Sequence, residues 1–396
     1  MGTDEHGVRR ARVGIALVFA VHGAVTGTFA TRIPWLQDHL HLGPGELGLA
    51  LIAPAVGSFL AMPLAGRIVH RYGERAAVRG LLMAWTLALA LPALAPNLAV
   101  LWLALFVYGA SAGMSDVAMN AQGVAVEERL GRSVMSGLHG MWCVGGLVAS
   151  GFGVLAAHRG VDARVQFAVA AAVLTTLAVF VCRPLLDVRP EPEQEAPPRF
   201  ALPPRSALVI GLVGFCAVFA EGASMDWGGV YLRDVTGASA GTAAACYSAF
   251  AATMAAARLA GDTVVERLGP VRTVRIGGAV ATLGGLLVVF GGTAWLAIPG
   301  FALIGIGIAV VVPLAFAAAG KSGGNASQAI AGVATVTYTS GLVAPAIVGG
   351  IAQATSLTVS FGVVTLLAAA LIPSAGALRR RTTADRTPQP VPARID

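Results

Sequence analysis

Several ionisable residues stand inside long apolar runs, where most chains would carry none. Asp116 opens the stretch Asp116-Val117-Ala118-Met119-Asn120, and Asn120, four residues on, shares its helical face. His139 lies in the next apolar run, within Ser136-Gly137-Leu138-His139-Gly140. Glu221, Asp226 and Trp227 share a later run, Glu221-Gly222-Ala223-Ser224-Met225-Asp226-Trp227, and His22 sits in the first. A charged side chain at the centre of a membrane helix costs roughly 2.5 to 3.5 kcal/mol on insertion scales, so such groups persist where they bind solute, carry protons or pair. Carboxylates and imidazoles suit proton carriage, because their charge responds to hydration and to neighbouring cations. Asp116 and His139 are expected at similar depth on adjacent helices, close enough to hold and pass a proton. The structural alternative is that Asp116 and Asn120 bond helix backbone or His139, and that His139 and His22 are satisfied core residues. Tyr338, with Thr335, Thr337, Thr339 and Ser340, makes a hydroxyl-rich stretch that could line a pore or bond its own backbone.

The elements that must position these groups follow from composition. Of 396 residues, 56% are hydrophobic and only 12% charged, about half the charge of an average soluble domain. A water-facing surface cannot be built from that, and the chain reads as an all-α polytopic membrane protein. Apolar stretches of about 20 residues predict twelve spans near 13–33, 46–66, 77–95, 98–126, 133–157, 164–183, 206–232, 238–260, 272–292, 295–318, 325–353 and 356–378. Arg9, Arg10 and Arg12 precede the first span, which is longer than the apolar core of a signal peptide and is expected to be retained as a helix. The 50 glycines fall within apolar runs, where small residues let helices approach closely.

Charge gives orientation. With the N-terminus inside, 23 of the 27 Lys and Arg fall in inner segments, Arg258 among them, and Arg32, Arg159, Arg164 and Arg233 fall outside. Both termini are therefore expected in the cytoplasm, which also accounts for the net charge of +7 without nucleic acid as a partner. Arg32 is expected at the outer boundary in a structural role, near Asp226, Asp38 or lipid phosphate. The four cysteines lie in apolar runs, and no disulfide framework or metal site is expected. A stretch rich in Pro and Glu at 184–205 reads as a cytoplasmic linker between an N-terminal bundle, 1–183, and a C-terminal bundle, 206–378. The tail, 379–396, reads as disordered. Weak repetition supports the halves: Ala65-Gly66-Arg67-Ile68-Val69-His70-Arg71-Tyr72-Gly73 after the second span is matched after the eighth by a segment from Ala260-Gly261-Asp262 to Glu266-Arg267-Leu268-Gly269.

These residues resemble the major facilitator superfamily, whose signature after its second helix is Gly-x-x-x-Asp-Arg-x-Gly-Arg-Arg. Gly66, Arg71, Gly73 and Arg75 match it, while His70 replaces the acid and Glu74 the first of the closing arginines. The second-half counterpart keeps acid-Arg-x-Gly as Glu266, Arg267 and Gly269, preceded by Arg258 and Asp262. The resemblance implies two pseudo-symmetric six-helix bundles that rock about a central site. It also implies that these residues, at water-facing helix ends, form ion pairs that latch one conformation. The segments around Asp116, His139 and Glu221 are similar to a bacterial subgroup of inner-membrane solute transporters, and more loosely to proton-coupled sugar permeases. In the fold so implied, Glu221 could face Asp116 across the bundle interface, while Asp226 and Trp227 would form an outer cap and interfacial anchor.

No nucleotide-binding Gly-x-x-x-x-Gly-Lys-[Ser/Thr] loop is present, nor His-Glu-x-x-His, Cys-x-x-Cys or Gly-x-Ser-x-Gly. The expected function is therefore gradient-driven solute transport, without enzymatic activity or cofactor. Proton coupling is assigned to Asp116, assisted by Glu221 and His139. The expected partners are a small solute, protons and the bilayer of a plasma membrane, around a monomer. Intramembrane acids without a buried Arg or Lys beside them argue for a neutral polar or cationic solute, and the resemblance implies uptake, because the glycine-rich helix 133–157 lacks the proline that exporters of this superfamily often show. The alternatives are proton-antiport efflux of drug-like compounds, to which a 7% aromatic content gives little support, and a transporter-like solute sensor.

Overall fold

The computed structural model describes residues 2–131, 134–187, 205–320 and 326–379. Most of the 184–205 linker and nearly all of the tail lie outside the described residues, as do the side chains of His70, Asp262 and Tyr338. Fourteen α-helices are described: α1 Gly2–Ala30, α2 Ile33–Leu40, α3 Pro44–Tyr72, α4 Glu74–Ala88, α5 Leu98–Leu130, α6 Met135–His158, α7 Ala163–Val181, α8 Arg205–Asp234, α9 Ala240–Leu268, α10 Pro270–Gly291, α11 Ala294–Ile308, α12 Val311–Gly320, α13 Ala326–Ala354 and α14 Leu357–Ser374. Twelve segments are long and apolar enough to cross a membrane; α2 extends the first, and α11 with α12 forms the tenth. An even number of crossings puts both chain ends on one side, here the terminal face; the opposite side is the far face.

The fold is two six-helix bundles, α1 to α7 and α8 to α14. Glycine lets helix backbones touch within each. Gly23 and Gly27 of α1 lie against the backbone of Trp142 and Gly146 of α6, and Gly277 and Gly284 of α10 against Gly307 and Gly300 of α11. Several helices outrun their predicted spans. α5 continues to Leu130, α3 to Tyr72 and α9 to Leu268, because helical hydrogen bonding does not stop where apolar composition does.

The repeated Arg-x-Gly segments are one structural device used twice. Gly73 ends α3 and starts α4 at φ 79°, ψ 157°; Gly269 does the same between α9 and α10 at φ 76°, ψ 159°. Each glycine N–H donates to the carbonyl four residues back, Val69 and Val265, at 2.9 Å. A side chain is disfavoured at this φ, so glycine is required at both corners.

The predicted linker starts too early. Leu185 and Leu186 are buried. Arg75 Nε donates to the Leu185 carbonyl at 2.7 Å, and Pro184 lies against Gly14 of α1. These residues therefore belong to the packing of the first bundle. Gln122 of α5, with its amide oriented to satisfy both neighbours, donates to buried Glu74 and to the Leu186 carbonyl and accepts from the Leu186 N–H, each at 3.1 Å.

Candidate functional site

The bundles meet at the far face. Ser248 Oγ of α9 donates to Ser150 Oγ of α6 at 2.9 Å, and Gly45 N–H at the start of α3 donates to Gln353 of α13 at 3.2 Å. Gly48 and Gly349 bring α3 and α13 into backbone contact. The short helix α2 adds a bar across this mouth: Gln37 Nε2 donates to Asp234 at 3.1 Å, and Asp38 pairs with Arg233 at 2.6 Å. Toward the terminal face the bundles part. His139, on the terminal half of α6, is exposed, and among the described residues Arg71, Arg75, Glu266 and Arg267 make no ion pair. Among the described residues, then, the ion pairs expected between these four side chains are not formed. Arg71 instead lies over the Tyr72 ring at 5.5 Å, Gly66 has open space beside it, and Arg75 holds the Leu185 carbonyl within its own bundle.

Between the closed and parted ends, α6, α8 and α9 line a narrow cavity of about 20 Å³, room for about one water, walled by Trp142, Cys143, Glu221, Met225, Tyr247 and Arg258 among others. Arg258 corrects the sequence reading most. It was expected at a water-facing helix end, but α9 runs ten residues beyond it, so it lies about 15 Å inside the helix. One of the 23 cations counted as inner is therefore an intramembrane residue. Its Nη2 donates to both oxygens of Glu221, at 3.1 and 3.3 Å. The pair is partly open, with 34% of the Arg258 side chain and 22% of the Glu221 side chain exposed. Arg258 Nε donates to the Ala309 carbonyl at 3.3 Å. That oxygen is available because Pro313, the residue that would donate to it in an unbroken helix, has no N–H. The α11–α12 break thus supplies an acceptor that fixes the guanidinium. Cys143 faces the same guanidinium from the other bundle.

This ion pair removes the premise of the neutral-or-cation argument, since a fixed cation stands at the site after all. Glu221 does not face Asp116 in a pair; its partner is on its own bundle. The expected Asp116–His139 pair is likewise not formed among the described residues. Asn120 Nδ2 donates to the Asp116 carbonyl at 2.8 Å and to its carboxylate at 3.2 Å. His139 makes an edge-on contact with Phe19 at 5.2 Å. Depth explains the separation: Asp116 lies 14 residues, about 21 Å, from the end of α5 at Leu130, whereas His139 lies 4 residues, about 6 Å, from the start of α6 at Met135.

His22 was weighed as a solute contact. It is buried, with both ring nitrogens committed: Nδ1 accepts from Trp142 Nε1 at 3.2 Å, which leaves Nε2 to donate to the Ala112 carbonyl at 3.4 Å. It also stacks on Trp85 at 5.2 Å. Its role is to orient the Trp142 indole that walls the pocket. Trp227 is no interfacial anchor, because it is completely buried, with its ring against Gly349 where α13 meets α3. Asp226 precedes it by one residue, about 12 Å from the end of α8 and so deeper than a surface cap. It has no hydrogen-bond or ion-pair partner among the described residues. Arg32 bonds Gln166 at 2.5 Å and the Val161 carbonyl at 2.9 Å rather than Asp226 or Asp38. Thr339 and Ser340 donate to carbonyls of their own helix, those of Thr335 and Thr337, whereas Thr337 Oγ1 donates to the Gly211 carbonyl of α8 at 3.4 Å.

Sequence reasoning missed Trp142, Tyr247, Met225 and Met254 as pocket walls and Pro313 as the source of an acceptor. One signal was legible: counted back from Gly269, the required corner glycine, Arg258 lies three helical turns inside.

Twelve apolar spans in two bundles joined at one face, with a largely apolar pocket holding one ion pair between them, are the frame of a membrane transporter. The Major Facilitator Superfamily model matches residues 15–345, and the chain belongs to that family. It is 34% identical over 360 residues to the uncharacterized transporter y4wD of Sinorhizobium fredii, covering 90% of this chain and 95% of the relative. It is 35% identical over 372 residues to an uncharacterized MFS-type transporter of Yersinia pestis, covering 93% and 96%. Among solved structures it is similar to the nucleoside transporter NupG, with TM-score 0.72, 12% identity and coverage of 93% and 98%. It is also similar to a bacterial homolog of the human lysosomal transporter Spinster in an inward-facing, occupied conformation, with TM-score 0.75, 15% identity and coverage of 96% and 98%.

Proposed function

We propose that this protein is a proton-coupled secondary transporter that takes a small polar solute into the cell across a plasma membrane, with both termini in the cytoplasm. The observation that carries the reading is the Glu221–Arg258 pair, set in a pocket that lies between the bundles and is closed toward the far face. A carboxylate held by a cation at the meeting of two moving bodies is a group whose proton and partner can change as the cavity opens to either side. Glu221, rather than Asp116, is the coupling carboxylate in this reading, because Glu221 is held by a cation in the pocket while Asp116 is bonded to its own helix neighbour Asn120. With the terminal face cytoplasmic, the conformation described is the inward-open one, and the Gln37–Asp234 and Asp38–Arg233 contacts hold the outer gate.

The test is solute-dependent pH change inside proteoliposomes loaded with a pH dye. Acidification that follows solute entry supports uptake by symport. Alkalinisation on solute entry would replace it with antiport efflux, and solute binding without flux would replace it with a sensor.

A further inference from the structure

Resting on that reading, we infer that the solute carries a carboxylate, and that this carboxylate and Glu221 take turns on the Arg258 guanidinium. The guanidinium has five N–H donors. Nε is held by the Ala309 carbonyl and Nη2 by Glu221. Besides these oxygens the guanidinium meets only the Cys143 thiol, a weak acceptor, among the described residues, and about a third of the side chain is exposed. The resident ligand is itself a carboxylate, so the site is already shaped for that group, and planar guanidinium prefers planar two-oxygen partners. The remaining walls, Trp142, Met225, Tyr247, Phe250 and Met254, are apolar or aromatic, and they must move apart to admit the carbon body of such a solute.

Charge bookkeeping gives the coupling. Glu221 and Arg258 together are neutral. A proton from the open face taken up by Glu221 frees the guanidinium as a net positive charge. A solute carboxylate then restores neutrality, so the loaded site crosses with one proton per negative charge. Solute release returns Glu221 to Arg258 and the proton to solution. The titratable or charged groups facing Glu221 are Arg258 and Tyr247 on α9 and Cys143 on α6; His139 on α6 faces Arg258, and Asp226 on Glu221's own helix faces Tyr247. α11, α12 and α14 bring none to it by sequence, and on α13 Tyr338 is the one such residue.

The experiment measures uptake and counterflow of labelled gluconate, glucuronate and quinate, with glucose and tetraethylammonium as neutral and cationic probes. It uses the full chain in proteoliposomes at pH 6 outside and 7.5 inside. The wild type is expected to accumulate an acid together with protons. Glu221→Gln, which is nearly isosteric, should exchange that acid at equal concentration on both sides but lose at least tenfold of the pH-driven accumulation. Arg258→Gln should lose both activities, and Arg258→Lys should recover part of the exchange. The inference is overturned if glucose or tetraethylammonium moves with protons and the acids do not, in which case coupled transport stands. It is also overturned if Glu221→Gln accumulates acid as the wild type does. If none of the probes moves, both the inference and the transport reading fall.

Discussion

The two bundles repeat one corner almost exactly and differ at their centres. Gly73 and Gly269 share φ and ψ within 3°, yet the midpoint acid of the first bundle, Asp116, has only Asn120 beside it, while that of the second, Glu221, is held by Arg258. The first bundle spends its polar groups on internal structure: His22 aligns Trp142, Gln122 ties Glu74 to Leu186, and Glu127 caps α6 by accepting from Val134 N–H at 2.6 Å. The second keeps a charge pair partly exposed to the cavity. On the proposed function, the comparison teaches that the shared frame serves the movement and the asymmetric centre the coupling.

The strongest way to break that comparison is to remove Arg258. Arg258→Gln leaves Glu221 without its cation and is expected to cut transport by 100-fold or more. The folded state should lose about 1 to 3 kcal/mol, discounted from a fully buried pair because the site is partly open. Adding Glu221→Gln to this variant should recover much of the stability and none of the proton coupling, as measured by thermal unfolding in detergent and by dye-reported flux. Next in size are the corner glycines. Gly73→Ala and Gly269→Ala should each cost about 1 to 3 kcal/mol, and the two losses should match. An effect confined to one bundle would show the corners are not equivalent. Pro313→Ala restores an N–H that competes for the Ala309 carbonyl, so Arg258 loses one anchor. A fall of about fivefold in apparent solute affinity, near 1 kcal/mol, is expected in uptake kinetics. The smallest effect falls at the far mouth. Asp38→Asn removes a largely exposed pair worth under about 1 kcal/mol, and should raise labelling of a cysteine introduced near the outer gate less than about fivefold.

How much was legible in the sequence follows the same division. The twelve spans, the two halves and the corner motif came from apolar length, charge placement and a repeated Arg-x-Gly, all local properties. The pairing of acids was misread because it depends on helix rotation and on where helices end. Ending the eighth span at residue 260 left Arg258 at the water's edge, and the full length of α9 moved it to the pocket. Asp116 and His139 matched in depth only on the predicted helix ends, since α5 runs on to Leu130 and leaves Asp116 about 21 Å from its end against about 6 Å for His139 in α6. Pro313 could be seen in the sequence, but that its freed carbonyl meets an arginine 51 residues away could not.

The central claim, that coupling resides in the second bundle's pair and not in the first bundle's acid, is tested most directly by comparing Glu221→Gln with Asp116→Asn. The readout is solute-driven internal acidification of proteoliposomes at matched solute flux. The account predicts acidification within twofold of wild type for Asp116→Asn and its loss, with solute exchange retained, for Glu221→Gln. Loss in Asp116→Asn with wild-type acidification in Glu221→Gln would contradict it.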